Sequence, residues 1–179
     1  MNNYSLEIHF DADSTARIGK LIRTVADACG NGYMLRHNIP FHLTLAYFKA
    51  EDTSAAVNIA EKIAAETTVD AVTFPAIGAF PTAALYLAPV FTEWLREMNE
   101  TADSILARQV TLSPMYQPNN WAPHATIATQ LSRTELELAF TELIREFTPF
   151  AAKAVSVAIV KCEPYGEIIA ESMLAGKRQ

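Results

Sequence analysis

Two short segments of the chain share one pattern. Phe41-His42-Leu43-Thr44-Leu45-Ala46 and Pro123-His124-Ala125-Thr126-Ile127-Ala128 both contain His-x-Thr-x-Ala, with the histidines 82 positions apart. The chain has only four histidines, so two of them sharing a five-residue pattern is far from a chance event. Both segments read as strands, and in a strand residues i and i+2 point to the same face. His42, Thr44 and Ala46 are therefore expected on one face, with Phe41, Leu43 and Leu45 packing on the other. His124, Thr126 and Ala128 divide from Ala125 and Ile127 in the same way. Two such polar faces opposed across a cleft would make a symmetric site of two imidazoles and two hydroxyls.

That set suits in-line displacement at phosphorus. The attacking and leaving oxygens lie on opposite sides of the phosphate, so a base is needed on one side and an acid on the other. Histidine supplies either near neutral pH. The threonine hydroxyls can donate to the non-bridging oxygens, where charge sits in the transition state. The arrangement requires no metal or other cofactor. Two plainer readings are weaker. Paired strand histidines can simply stabilise a sheet, but this leaves the duplication unexplained. A zinc site lacks an Asp, Glu or Cys in either motif to complete its shell.

The remaining elements alternate. Ser5–Phe10 reads as a strand with Leu6, Ile8 and Phe10 on one face and Glu7 and His9 on the other. Asp13 or Ser14 is expected to cap a helix carrying Ile18, Leu21, Val25 and Cys29, ended by Gly30 or Gly32. Pro40–Phe48 is the strand of the first motif. Asp52 or Thr53 opens an Ala-rich helix to about Glu66. Strands are expected near Ala71–Ile77 and Ala83–Ala88, split by Gly78 and Pro81. A helix over Thr92–Ala107 and a turn-rich loop over Thr111–Ala122 lead to the second motif strand, Pro123–Thr129. Ser132-Arg133-Thr134-Glu135 is a capping box for another helix. Val155–Cys162 and Ile168–Leu174 close the chain as strands around a turn at Pro164–Gly166. Runs of strands with intervening helices suggest α+β or α/β, and the loose repeat of the order suggests two lobes built alike.

Several side chains near the motifs are candidate substrate contacts. Trp121 and Tyr116 lie in the loop before the second motif, where an aromatic ring can stack on a base. Phe48 follows Ala46 on the expected cleft face, whereas Tyr47 falls on the packing face. Arg36 precedes the first motif and can reach a phosphate. His9 and His37 read as ordinary histidines, although either could line the groove.

The HLTL and HATI segments resemble the two HxTx motifs of the 2H phosphoesterase superfamily, and the chain is similar to its bacterial 2'-5' RNA ligase and cyclic phosphodiesterase branch. Ala76-Ile77-Gly78-Ala79-Phe80-Pro81 with Leu85-Tyr86-Leu87 resembles the strand pair after the first motif. Trp121-Ala122-Pro123 resembles the lead-in to the second. Element order agrees over roughly residues 4–174. The resemblance implies one bilobed domain over residues 1–179, with pseudo-two-fold duplicated lobes of antiparallel sheet and helices around a central groove. It implies a metal-independent phosphodiesterase acting on 2',3'-cyclic phosphates or related nucleotide and RNA-end esters. His42 and His124 would be the catalytic pair, and Thr44 and Thr126 would bind phosphate. One departure stands out: relatives often place an arginine soon after the second motif, where this chain has Thr129, and the nearest basic residue is Arg133. This loss of a bidentate clamp keeps open an alternative, a nucleotide-binding module of the same fold without turnover.

Composition limits the partner. Across 179 residues, 14 Lys and Arg face 20 Asp and Glu, for a net charge of −6. A binder of long nucleic acid needs a basic footprint. The balance therefore points to a small nucleotide or an RNA terminus, with no long nucleic acid. Cys29 and Cys162 form no disulfide framework, which is the usage of a reducing compartment. The N-terminus shows no signal-peptide pattern. The longest apolar stretch, Ala83–Phe91, is too short to span a bilayer and contains Pro89. A soluble cytoplasmic monomer is the expectation.

Overall fold

The chain is described from a computed structural model over residues 2–51, 54–81, 84–163 and 166–176. Helix α1 (Ala12–Cys29) follows strand β1 (Asn2–Phe10) and buries the stripe Ile18, Ile22, Val25 and Cys29. Its cap is Asp11, whose carboxylate accepts from the Ser14 amide at 3.0 Å, rather than Asp13 or Ser14. Asp13 sits in the first helical turn instead. Gly30 ends the helix at φ 75°, a left-handed conformation that costs glycine nothing. A single turn, α2 (Tyr33–Arg36), leads into β2 (His42–Ala50). Helix α3 (Ser54–Glu66) follows, and its expected caps, Asp52 and Thr53, lie outside the described residues.

The single strand expected over Ala71–Ile77 is two strands. Pro75 separates β3 (Asp70–Phe74) from β4 (Ala76–Phe80), because proline offers no amide to continue a ladder. The chain changes sheets at this point. After β4 come β5 (Ala84–Ala88), α4 (Glu93–Leu106), the two-residue strand β6 (Thr111–Leu112), a 3-10 turn (Pro114–Tyr116) and β7 (Ala125–Ala128). Helix α5 (Arg133–Glu146) starts at the expected capping box, with Ser132 and Glu135 each satisfying the other's amide. Strands β8 (Phe150–Lys161) and β9 (Glu167–Met173) end the fold, and Pro164 and Tyr165 between them lie outside the described residues.

All strand pairs are antiparallel. One sheet runs β3-β8-β1-β2-β6 with β9 also on β8, and the other runs β4-β5-β7. The α+β class and the two-sheet arrangement match the expectation. The sheets do not follow the two halves of the chain, however, because β8 and β9 return to join β1. The helices cross over too. Helices α1 and α5 pack together and reach β7 and β5 of the small sheet, whereas α3 and α4 cover the large one. Each lobe is thus covered by a helix that follows a strand of the other, which ties the lobes together.

Both motif strands carry a bulge at the same place. Leu6 pairs with Ala46 but Glu7 pairs with Thr44, so Leu45 is the extra residue in β2. Leu85 pairs with Ala128 but Tyr86 pairs with Thr126, so Ile127 is the extra residue in β7. An extra residue reverses which face each later side chain takes. Ala46 and Phe48 therefore turn into the core at 2% and 1% exposure, and Phe48 stacks on Tyr4. Phe48 is a core residue and not the substrate contact that unbroken alternation predicts. Tyr47, expected to pack, faces the groove instead.

A bulge leaves backbone groups off the ladder, and here side chains take them up. The Trp121 indole N–H donates to the Thr44 carbonyl at 3.0 Å. The buried Asn99 amide on α4 donates to the Leu45 carbonyl and to the Tyr116 carbonyl, both at 2.9 Å. Before the motif, Phe41 lies in an aromatic cluster with Phe10 and Phe74, at ring distances of 5.2 and 6.2 Å. His42 is thus fixed on both sides. Replacing Asn99 by Ala strands the buried Leu45 carbonyl and frees the part-buried Tyr116 carbonyl, and an uncompensated buried group costs roughly 1–3 kcal/mol. Asn99→Ala should lower the urea midpoint accordingly, and an unchanged midpoint would show that the bulge needs no side-chain support.

Candidate functional site

The two histidines are held alike. His42 Nδ1 donates to the Pro40 carbonyl at 2.7 Å, and His124 Nδ1 donates to the Ala122 carbonyl at 2.8 Å. In both, the acceptor lies two residues upstream. With the Nδ1 proton engaged, Nε2 carries the lone pair of the neutral ring. His42, Thr44, His124 and Thr126 line one cavity of 340 Å³, within the range of small-ligand sites. The post-bulge residues of the two strands, Tyr47 and Thr129, face the same cavity. A neighbouring cavity of 480 Å³ opens on the far side of His124, between Phe80, Met115 and Trp121. Tyr116, Thr129 and Gln130 border both.

The surroundings of the two rings differ. Behind His42 stands Glu7, with its carboxylate Oε2 3.4 Å from Nδ1 and a side chain only 4% exposed. Glu7 Oε1 accepts from the Ser5 hydroxyl at 2.5 Å, and Oε2 lies 3.2 Å from His9 Nε2. His9 Nδ1 in turn lies 3.1 Å from Glu171, which also accepts from Ser156 at 2.6 Å. Burial works against the ionised form of Glu7, but His42, His9 and Ser5 together hold its carboxyl below the ordinary 4.5. Burial likewise opposes charge on His9, yet Glu7 and Glu171 lift it above 6.5. Each group thus favours the charged form of the other.

Among the described residues no carboxylate is paired with His124. Its ring meets Phe80 edge-on at 4.9 Å and Tyr86 at 5.4 Å. Burial pushes it below the ordinary 6.5, the Ala122 carbonyl opposes this, and the charge of His42 adds to the lowering. Tyr86 can lie across β4 because position 78 is glycine: a Cβ there would stand 2.4 Å from the Tyr86 ring.

The other sequence candidates divide. Tyr116 is mostly buried between the two cavities, its phenol pushed up to about 12 by burial. Trp121 is 7% exposed and supports Thr44, while its ring edge lines the second cavity. Arg36 is exposed at the end of α2 and lines neither cavity, because that turn directs it outward. Among the described residues lining either cavity there is no Lys or Arg, and Glu163 adds a second carboxylate. Sequence reasoning missed Glu7, Tyr47 and Tyr86. Only Glu7 carried a signal, as an acidic side chain on the polar face of β1.

Comparison with known proteins agrees with this geometry. A family model described as the 2'-5' RNA ligase superfamily matches residues 8–164. The chain belongs to this superfamily, that of the 2H phosphoesterases. No match to the chain is found among curated protein sequences. Among solved structures, 2H-fold neighbours include TT0787 of Thermus thermophilus, at 14% identity and TM-score 0.64, covering 98% of this chain and 100% of that one. Escherichia coli LigT complexed with 3'-AMP aligns at 14% identity and TM-score 0.58, covering 97% and 98%. A structure described only as a phosphoesterase aligns at 11% identity and TM-score 0.62, covering 98% and 99%. These likenesses establish the shared 2H fold. No helix among the described residues is long and apolar enough to cross a membrane.

The Glu7–His9 pair sets a pH window for stability. Glu7 has a lowered folded value, so its contribution is present above its unfolded value near 4.5 and is lost as pH falls through the folded one. His9 has a raised folded value, so its contribution is present below 6.5 and is lost as pH rises through the folded value. Together they contribute most between pH 4.5 and 6.5. Removing one partner of a buried pair costs roughly 3–5 kcal/mol. His9→Ala should lose about this much in urea unfolding at pH 6 and less at pH 9. An equal loss at both would mean that His9 stabilises by packing alone.

Proposed function

We propose that the chain is a phosphodiesterase that opens 2',3'-cyclic phosphates of nucleotides or RNA ends by two-histidine acid–base catalysis. The observation that carries this reading is the matched pair of bulged HxTx strands, each presenting an imidazole pinned through Nδ1 beside a threonine in one cavity. The phosphate would sit between the rings and accept from Thr44 and Thr126. Water attacks phosphorus and gives its proton to one Nε2. The ribose oxygen–phosphorus bond breaks opposite, and that oxygen takes a proton from the other Nε2. A 2'- or 3'-phosphomonoester leaves.

The unequal surroundings divide the roles. His124, among aromatic rings and with a lowered proton affinity, is suited to begin neutral and take the proton. His42, with the Glu7 carboxylate 3.4 Å from its Nδ1, is placed to supply the proton on the other side. The absence of Lys and Arg from the described lining favours a singly charged cyclic diester over a polyphosphate or an extended strand. The superfamily's fold and the LigT complex with 3'-AMP are consistent with a nucleotide in this groove. The same lack of a cationic clamp is what favours the second reading, nucleotide binding without turnover.

The test is hydrolysis of 2',3'-cyclic nucleotides in EDTA. Turnover should persist, and His42→Ala and His124→Ala should each lose on the order of 10²–10⁴ in kcat. Loss of activity with chelator would overturn the metal-independent mechanism. Tight nucleotide binding with no product would establish the binding module instead. The wild-type rate should follow a bell-shaped pH profile whose acid limb lies below 6.5, because the base has a lowered value and must be deprotonated. An acid limb above 6.5 would remove His124 from that role.

A further inference from the structure

We propose that Glu7 is a positioning residue for His42, its buried carboxylate 3.4 Å from Nδ1 serving as the counter-charge beside the ring that passes a proton to the leaving oxygen. The proposal rests on the two-histidine reading above and adds a residue outside both motifs.

The two bulges make an internal comparison possible. Glu7 pairs with Thr44 across β1 and β2, and Tyr86 pairs with Thr126 across β5 and β7. Glu7 and Tyr86 thus occupy equivalent places beside the two motif threonines, on the neighbouring strand. Fold geometry is the same on both sides, but one lobe puts a carboxylate there and the other a phenol ring. The fold accepts an aromatic residue at this place, as Tyr86 shows. An acid buried to 3% exposure instead needs its own supporting charges. His9, Ser5, Glu171 and Ser156 form that support over three strands, β1, β8 and β9.

Glu7 is not needed as a hydrogen-bond acceptor for His42, whose Nδ1 proton already goes to the Pro40 carbonyl at 2.7 Å. At 3.4 Å its influence on the ring is that of a charge. The other groups facing this pair do not replace it. From β1 comes His9, which offsets part of the Glu7 charge, and from β9 comes Glu171, bonded to His9. Across the groove stands His124. Tyr116 and Cys162 are held protonated by burial, at about 12 and about 11. Glu163 also lines the cavity, and among the described residues no ion pair joins it to His42.

The experiment is Glu7→Gln, which keeps shape and removes charge. Cyclic-nucleotide hydrolysis is followed over pH, with Glu7→Asp as the charge-retaining control. The alkaline limb of kcat should move to lower pH in Glu7→Gln, with about tenfold less activity above it per unit moved. KM and the acid limb should stay in place, and Glu7→Asp should restore much of the loss. A folded Glu7→Gln protein with the wild-type profile would overturn the proposal. Proton NMR of the His42 ring, titrated in both proteins, reads the same coupling without turnover. An unmoved titration overturns the proposal, whereas a wild type that turns over no cyclic phosphate overturns only the phosphodiesterase reading. Should Glu7→Gln fail to fold, the Glu7 carboxyl carbon in the wild type must follow the His42 titration. A carbon signal that ignores it is equally decisive against the pair.

Discussion

The structure depends on one backbone constraint, an extra residue placed just after the threonine in each of two strands. A strand alternates its side chains strictly, so a regular HxTx strand would spend every second position on the groove to its end. The bulges at Leu45 and Ile127 break that alternation after the threonine. Each motif can then present an imidazole and a hydroxyl to the groove and bury the next alanine in the core. Two positions were also handed to the groove, and they are filled by Tyr47 and Thr129. Asn99 and Trp121 supply the hydrogen bonds that the ladder gives up.

The near-symmetric frame makes the unequal chemistry of its two halves visible. Both imidazoles are oriented by the same contact, a carbonyl two residues upstream. What differs is the material behind them: ionised carboxylate and imidazole partners on the β1 side, aromatic rings on the β5 side. A buried charge in a low-dielectric interior acts strongly on a neighbour, and aromatic burial favours the neutral ring. A general acid and a general base have opposite needs, and an unequal setting is what the proposed division of roles calls for. Gly78 has a part in this, because any side chain there would displace Tyr86 from beside His124.

Much of the fold was legible because it follows from local rules. The apolar stripe of α1, the Ser132–Glu135 capping box and the turn loop before β7 are fixed by neighbours in sequence. The division at Pro75 was readable in principle, since proline interrupts a ladder, but the choice of a new sheet for β4 was not. The reversed places of Tyr47 and Phe48 have the same origin. A bulge is set by pairing between strands far apart in sequence, so alternation counted along one strand runs one residue out of step beyond it. Arg36 lies outside both cavities for a similar reason: nearness to the motif in sequence does not give the direction of a side chain on a one-turn helix.

Taken by itself, the sequence placed two His-x-Thr segments on expected strands, and the resemblance they carry pointed to the superfamily and its α+β class, because residue type and strand period are local properties. Tertiary structure decided what surrounds them. Only the pairing of β1 with β2 and of β5 with β7 brings Glu7 behind one motif and Tyr86 behind the other. The electrostatic difference between His42 and His124 arises from those contacts, and contacts between distant segments are not written in the spacing of either motif.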